Sequence, residues 1–193
     1  MSDFKIQVDE LDEKAKSFRF LASESWWGAR EEGSDGQATE VVSGFAFQLD
    51  VARKADDIIL SGDLEAEVIL ECSRCARRYS HALRDPFSLA LEPAKGREPT
   101  DLEGVQGLAE NGVWLGEDLE AGWFRGPKIG LDDFFGEVIA LAMPLQPLCS
   151  ESCPGICSHC GADLAKTQCD CVDERLESPF AVLAMLKGVT EEK

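Results

Sequence analysis

A dense run of cysteines constrains the fold of this chain more than any other feature of its 193 residues. Six of the eight cysteines lie in the segment 148–171, LCSESCPGICSHCGADLAKTQCDC. The other two, Cys72 and Cys75, form a separate Cys-x-x-Cys pair upstream. Cysteines at this density, in a tail with few other apolar residues, predict a segment that is stabilised by bound metal.

The spacing within the run favours a structural zinc site. Zinc takes four ligands in a tetrahedron, and a Cys-x-x-Cys pair followed by glycine chelates the ion from one tight turn. The sequence Cys157-Ser158-His159-Cys160-Gly161 has this form, with His159 expected to face the solvent. Two further thiolates follow after a short loop. We therefore predict a first zinc site with the ligands Cys157, Cys160, Cys169 and Cys171.

The remaining cysteines make a second site possible, with the ligands Cys149, Cys153, Cys72 and Cys75. Spacing alone leaves other partitions open, such as Cys149, Cys153, Cys157 and Cys160 together. An iron–sulfur cluster is an alternative to zinc. The upstream pair could also be a reduced structural pair or a redox dithiol, although a hairpin offers no helix N-terminus to lower a thiol pKa.

Charge and apolar runs bear on partners and location. The formal net charge is −18, from 19 basic and 37 acidic residues. Such a field repels bare nucleic acid and anionic membranes and attracts basic proteins, and a solvated surface without a partner is the plain alternative. The first twenty residues lack the apolar core of a secretory signal, and no apolar run reaches the ~18 residues of a membrane span. We expect a cytoplasmic protein, whose thiols stay reduced.

Residues 42–91 alternate between apolar and polar side chains, which predicts β-strands. The first run is Phe45, Phe47, Leu49 and Val51, followed by a turn at 54–57. From 58 to 72 one face is apolar and the other acidic, so the sheet is predicted to be antiparallel, with a bulge or break at Gly62. A return strand at 79–91 then places the Cys-x-x-Cys pair at a hairpin tip.

The flanking segments complete an α+β prediction. Phe4, Ile6 and Val8 alternate as in a short strand, and Asp9 can cap a helix with Leu11, Ala15, Phe18 and Ala22 on one face. Trp26 and Trp27 could stack on bases, but core packing is favoured. Residues 93–130 are predicted to be a flexible acidic loop with a short strand near Val113–Leu115.

The C-terminal third is predicted to hold two helices. The first spans 131–143, capped by Asp132 or Asp133 and ended by Pro144; the second runs from Ser178 to Gly188. The predicted fold is an antiparallel β-sheet with flanking helices and a cysteine-rich zinc-binding tail. Residues 1–147 form the α+β domain, and 148–193 form the tail and closing helix.

A small basic patch interrupts the acidic pattern around the hairpin tip. It consists of Arg74, Arg77, Arg78, His81 and Arg84. The four arginines are candidates for a nucleic-acid or partner contact, since arginine beside a zinc knuckle can grip phosphate. Pairing with the chain's own acids is slightly favoured, because the overall charge opposes RNA. No catalytic motif occurs, so we predict a non-enzymatic protein without a small-molecule substrate.

These motifs together resemble the YceD family over most of the chain. Leu70-Glu71-Cys72-Ser73-Arg74-Cys75 is similar to the family's Cys-x-Arg-Cys signature. The tail resembles that of the family in the motif Leu148-Cys149-x-x-x-Cys153-x-Gly155-x-Cys157-x-x-Cys160-Gly161-x-x-Leu164. The closing segment resembles that of the family in Asp173-x-Arg175-Leu176 and in Pro179-Phe180-Ala181-Val182-Leu183.

The resemblance implies a role in ribosome biogenesis. The family is known as the large ribosomal RNA subunit accumulation proteins, linked in bacteria and plastids to synthesis, processing or stability of that RNA. Their genes often neighbour one for a large-subunit ribosomal protein, and no enzymatic activity is established. Some members keep Cys-x-Arg-Cys without the tail, which leaves open whether the two regions share a metal.

The resemblance and the charge together favour one kind of partner. We expect action through a basic large-subunit ribosomal protein, because a protein with a net charge of −18 is a poor ligand for naked ribosomal RNA. The alternative is a zinc-ribbon-like module that binds RNA directly through the Arg74–Arg84 patch.

Overall fold

A computed structural model describes residues 4–31, 39–116 and 119–171 of the chain. The chain divides into two compact units, residues 1–73 with 77–149 and residues 74–76 with 150–193. The predicted closing helix and the family's motif at 173–176 lie outside the described residues. Within the described ranges, no helix has the length and apolar character needed to cross a membrane.

The described part of the first unit has an α+β fold, as predicted. Its strands are β1 (Lys5–Gln7), β2 (Lys16–Ala22), β3 (Glu40–Val41), β4 (Phe45–Lys54), β5 (Asp57–Glu71), β6 (Arg78–Pro93), β7 (Val113–Leu115), β8 (Ala121–Phe124) and β9 (Lys128–Gly130). Its helices are α1 (Glu24–Glu31), α2 (Leu102–Glu110) and α3 (Asp132–Ala142), with a 3-10 turn at Val8–Glu10.

Seven of the strands form one sheet in the order β2-β4-β5-β6-β8-β7, with β3 paired to β5. The pairings are antiparallel except for β6 with β8, which run parallel. β1 and β9 form a separate antiparallel pair. A parallel pair needs a crossover connection, and the segment between β6 and β8 supplies it with α2 and β7. The predicted antiparallel sheet is therefore confirmed, apart from this one pair.

The long β5–β6 hairpin carries the alternation seen in the sequence. Leu60, Leu64 and Val68 on its apolar face are fully buried. The predicted bulge or break at Gly62 is wrong, because the pairing of β5 with both neighbours runs through it. Glycine is needed there for close approach, since a Cβ would lie 2.2 Å from the Gln48 carbonyl oxygen.

The core lies between the inner face of the sheet and the helices. The Phe135 ring of α3 stacks on Phe47 of β4, with ring centroids 3.9 Å apart. Trp27 of α1 is buried and packs against Phe45. Trp26 is partly buried against the same core. The prediction that the tryptophan pair belongs to the core is confirmed.

The prediction of a helix at 9–22 is wrong. Lys16–Ala22 forms β2, which pairs with β4 along its whole length. Phe18, Phe20 and Ala22 recur at every second residue, so an extended strand places all three against the core. This period-two pattern overlaps a helical one in the sequence, and pairing with β4 decides between the two.

The prediction of a flexible loop at 93–130 is also wrong for most of that segment. It holds α2, β7, β8 and β9, and the predicted short strand is confirmed as β7. Helix α2 is capped by Asp101, whose side chain accepts a hydrogen bond from the Gly104 N–H. Gly104 weakens the helical signal in the sequence, but the ring of Trp114 requires it, since a Cβ would lie 2.4 Å from Cδ1.

The helix predicted at 131–143 is confirmed as α3, which ends just before Pro144. The predicted N-cap is wrong. Leu131 occupies that position, and no side chain caps the helix. The carboxylates of Asp132 and Asp133 instead accept hydrogen bonds from side chains outside the helix, so tertiary contacts replace the local cap.

Candidate metal centres

The turn between β5 and β6 holds the Cys-x-x-Cys pair at a hairpin tip, as the sequence predicted. The last paired residues are Glu71 and Arg78. The Cys72 N–H donates to the Arg77 carbonyl oxygen at 2.9 Å, which closes the turn. Cys72 is 2% exposed and Cys75 is 8% exposed, so the turn positions two thiols away from bulk water.

Four thiols form what we call the hairpin-tip cluster: Cys72, Cys75, Cys149 and Cys153. Their Sγ atoms all lie within 4.8 Å of one another. Sulfurs at about 2.3 Å from a tetrahedral zinc ion would lie about 3.8 Å from each other. The set therefore has the number, chemistry and approximate spacing of ligands that a zinc ion needs.

The other four thiols form the tail cluster: Cys157, Cys160, Cys169 and Cys171. They too lie within 4.8 Å of one another. The Cys157 N–H donates to Ala162 O at 2.8 Å, and the Gly161 N–H donates to Cys157 O at 2.9 Å. Gly161 has φ 71°, a left-handed conformation that favours glycine. His159 is exposed and is not part of the cluster, which agrees with its predicted solvent position.

Contacts among the tail thiols shift their pKa values in opposite directions. The backbone N–H groups of Cys160 and His159, with the Cys169 thiol, lower the pKa of Cys157 to about 6. The hydrogen bond of Cys171 to Cys160, with the neighbouring thiolate charge, raises the pKa of Cys171 to about 12. Thiols close enough to share protons in this way are also close enough to share a metal ion.

Two side chains set the electrostatics beside the hairpin-tip cluster. Arg77 Nη2 lies 3.8 Å from Cys149 Sγ and places a positive charge beside the cluster. Burial raises the pKa of Tyr79, and negative charge at Cys72 and Cys149 raises it further. The Tyr79 phenol therefore stays neutral.

Arg74 holds the chain segment that follows Ser150. Its Nη1 donates to Cys153 O at 3.0 Å and to Glu151 O at 3.1 Å. Its own carbonyl oxygen accepts from the Ile156 N–H at 3.1 Å. A Cβ at Gly155, which has φ 80°, would lie 3.0 Å from that same oxygen. Residue spacing in the sequence did not predict this role of Arg74, and the signal available for it was its position inside the Cys-x-Arg-Cys motif.

The predicted arginine patch is divided among different surroundings. Arg74 and Arg77 contact the cysteine-bearing segments as described above. Arg78 forms an ion pair with Glu40. Arg84 is exposed and makes no ion pair with the described residues. Pairing with the chain's own acids thus accounts for Arg78, and an external contact through the patch stays a prediction.

Comparison with known proteins identifies the family. The model of the family described as "Large ribosomal RNA subunit accumulation protein YceD" matches residues 60–187, about two thirds of the chain. The chain belongs to the YceD family. The YceD match begins within β5 and includes both cysteine clusters, so it contains the motifs on which the resemblance was based.

Curated relatives agree with this assignment to YceD. A chloroplastic large ribosomal RNA subunit accumulation protein YCED homolog 1 from Arabidopsis thaliana is 26% identical over 159 residues, covering 75% of this chain and 49% of that protein. Its Zea mays counterpart is 26% identical over 155 residues, covering 73% and 52%. An uncharacterised protein of Mycobacterium tuberculosis is 25% identical over 120 residues, covering 62% and 51%. The chain spans about half the length of these relatives, and no solved structure matches it significantly.

Proposed function

We propose that this YceD-family protein is a non-enzymatic, cytoplasmic ribosome-biogenesis factor that supports synthesis, processing or stability of large-subunit ribosomal RNA. The family match over residues 60–187 carries the proposal. Two plant relatives are named for accumulation of the same RNA, which supports it. The proposed mechanism is indirect: the factor binds a basic large-subunit ribosomal protein rather than the RNA.

Charge supports a protein partner over bare RNA. A net charge of −18 opposes the approach of a polyanion and attracts a protein rich in lysine and arginine. Three arginines of the predicted patch already have partners within the chain. Arg74 binds two backbone carbonyl oxygens, Arg77 contacts the Cys149 sulfur, and Arg78 pairs with Glu40. Less positive charge is therefore left for phosphate than the sequence suggests.

Structural zinc in both clusters is part of the proposal. In the described tail, residues 150–171, the buried hydrophobic side chains are Cys153 and Cys157. A segment with so small an apolar core needs another source of stability, and the free energy of zinc binding to a folded site is also folding free energy. All eight donors are cysteine sulfurs, which zinc accepts in closed structural sites.

Affinity capture with and without nuclease tests the mechanism. We expect a tagged protein, captured at moderate salt, to retain a basic large-subunit ribosomal protein after nuclease treatment. Recovery of ribosomal RNA alone, with no ribosomal protein left after nuclease, would refute the indirect mechanism and favour direct binding through the arginine patch. Depletion of the protein should lower large-subunit relative to small-subunit ribosomal RNA, and an unchanged ratio would refute the function itself.

A further inference from the structure

A cleft in the first unit has no cysteine of either cluster in its lining. Helices α1, α2 and α3 and strand β7 line it, and its volume is about 560 Å³, within the usual range of ligand sites. Its lining combines two indoles with three carboxylates: Trp27, Trp114, Asp101, Asp133 and Glu137. The cleft is thus both aromatic and acidic.

Glycines on α2 leave room for an occupant. Gly104 lies against the Trp114 ring, where no larger residue fits. Gly107, three residues later, lines the cleft, and a Cβ there would meet no atom closer than Val113 O at 3.4 Å. Trp114 also packs on Trp123, with ring centroids 4.4 Å apart. The indole wall is therefore held in place by its own contacts.

The charges around the cleft favour a cation. Arg30 is the single basic residue among the described lining residues. It is already engaged, since it lies 3.4 Å from Asp133 and its guanidinium carbon lies 4.1 Å from the Trp26 ring centroid. A cation entering the cleft would meet carboxylates and indole rings, which both attract positive charge. A phosphate would meet those same carboxylates and be repelled.

We infer that the cleft between α1, α2, α3 and β7 is a docking site for a basic peptide segment of a partner protein. A lysine or arginine side chain enters towards Glu137, and Asp101 and Asp133 add further negative charge around it. The choice of a basic partner rests on the proposed function, whereas the cleft itself stands on the geometry.

The test measures binding of a short fluorescein-labelled peptide of alternating arginine and glycine to the zinc-loaded full chain, by anisotropy at moderate salt. Gly107→Leu fills the cleft, and Glu137→Gln removes a carboxylate at its rim. Each is expected to weaken binding by about fivefold or more. Glu65→Gln, the matched control, makes the same charge change on β5 outside the cleft and is expected to change affinity by less than about twofold.

Three results would overturn the inference. One is that a Gly107→Leu variant with an unchanged thermal midpoint of unfolding binds the peptide with wild-type affinity. If that variant does not fold, wild-type peptide affinity of the Glu137→Gln variant decides in the same way. Equal weakening by Glu65→Gln and Glu137→Gln would show binding by total charge alone. Displacement of the peptide by a short oligouridine would show that the cleft binds nucleic acid instead of a basic peptide. Intact peptide binding with an unaffected ribosomal RNA ratio in depleted cells would refute the proposed function but not the cleft.

Discussion

The guanidinium of Arg74 donates a hydrogen bond to the backbone carbonyl oxygen of Cys153, with the two atoms 3.0 Å apart. A residue placed between two cysteines of the hairpin turn thereby holds the backbone at a third cysteine of the same cluster. The same nitrogen also bonds the Glu151 carbonyl oxygen. The Cys-x-Arg-Cys motif therefore supplies a clamp for the ligand-bearing segment as well as two of the thiols.

Removing this clamp should weaken the zinc-loaded protein. We expect Arg74→Ala to lower the free energy of unfolding by about 1.5–3 kcal/mol, because hydrogen bonds from a charged donor are lost and two carbonyl oxygens lose their partner. Denaturant unfolding of the zinc-loaded protein measures this. Arg84→Ala is the matched control, since Arg84 is exposed like Arg74 but has no hydrogen bond or ion pair with the described residues, and it should change stability by less than about 0.5 kcal/mol. Equal effects of the two substitutions would contradict the clamp.

Native mass spectrometry should find two zinc ions per chain. Acid treatment should release both, because metal-bound thiolates are protonated as the pH falls. Cys72→Ser should lose the ion of the hairpin-tip cluster and keep the other, and Cys169→Ser should do the reverse. A single zinc in the wild-type protein, with Cys72 and Cys75 still reactive towards thiol reagents, would show that the hairpin-tip cluster does not bind metal.

The two clusters should lose zinc in a defined order. Cys160 and Cys171 are exposed, whereas Cys72 and Cys153 are buried. A chelator and an alkylating reagent therefore reach the tail cluster first. Peptide mapping during chelation should detect alkylation of the exposed pair before the buried pair, and the unfolded protein provides the reference for full labelling. Earlier labelling of Cys72 would contradict the difference in protection.

A methyl group at Gly62 should disturb the centre of the sheet. Its Cβ would lie 2.2 Å from the Gln48 carbonyl oxygen and 2.7 Å from Leu49 Cβ, so β4 and β5 must separate locally. Gly62→Ala should cost about 1–3 kcal/mol of unfolding free energy. Ser61→Ala, at the exposed neighbouring position, should stay within about 0.5 kcal/mol by the same denaturant measurement. A neutral Gly62→Ala would show that the strands accommodate the methyl group.

Where one periodic pattern ran unopposed, the sequence predicted the local structure. The alternation from 58 to 91 predicted the β5–β6 hairpin, and the apolar face at 131–143 predicted α3. Residues 16–22 carry two overlapping periods, and only pairing with β4 selects the strand. In α2, Gly104 weakens the helical signal although Asp101 supplies a local cap, and the reason for this glycine is the contact with the Trp114 ring, which lies outside the helix.

The sequence by itself determined the family motifs, the hairpin that carries Cys72 and Cys75, and the turn that brings Cys157 near Cys160. These features depend on residues close together in the chain, whose spacing sets their geometry. Only the tertiary structure decided that Arg74 contacts the backbone at Cys153, because the two residues are 79 positions apart and no local pattern reports such a contact. The cleft at Trp27 and Trp114 was decided in the same way, since three helices and a strand from separate parts of the chain line it.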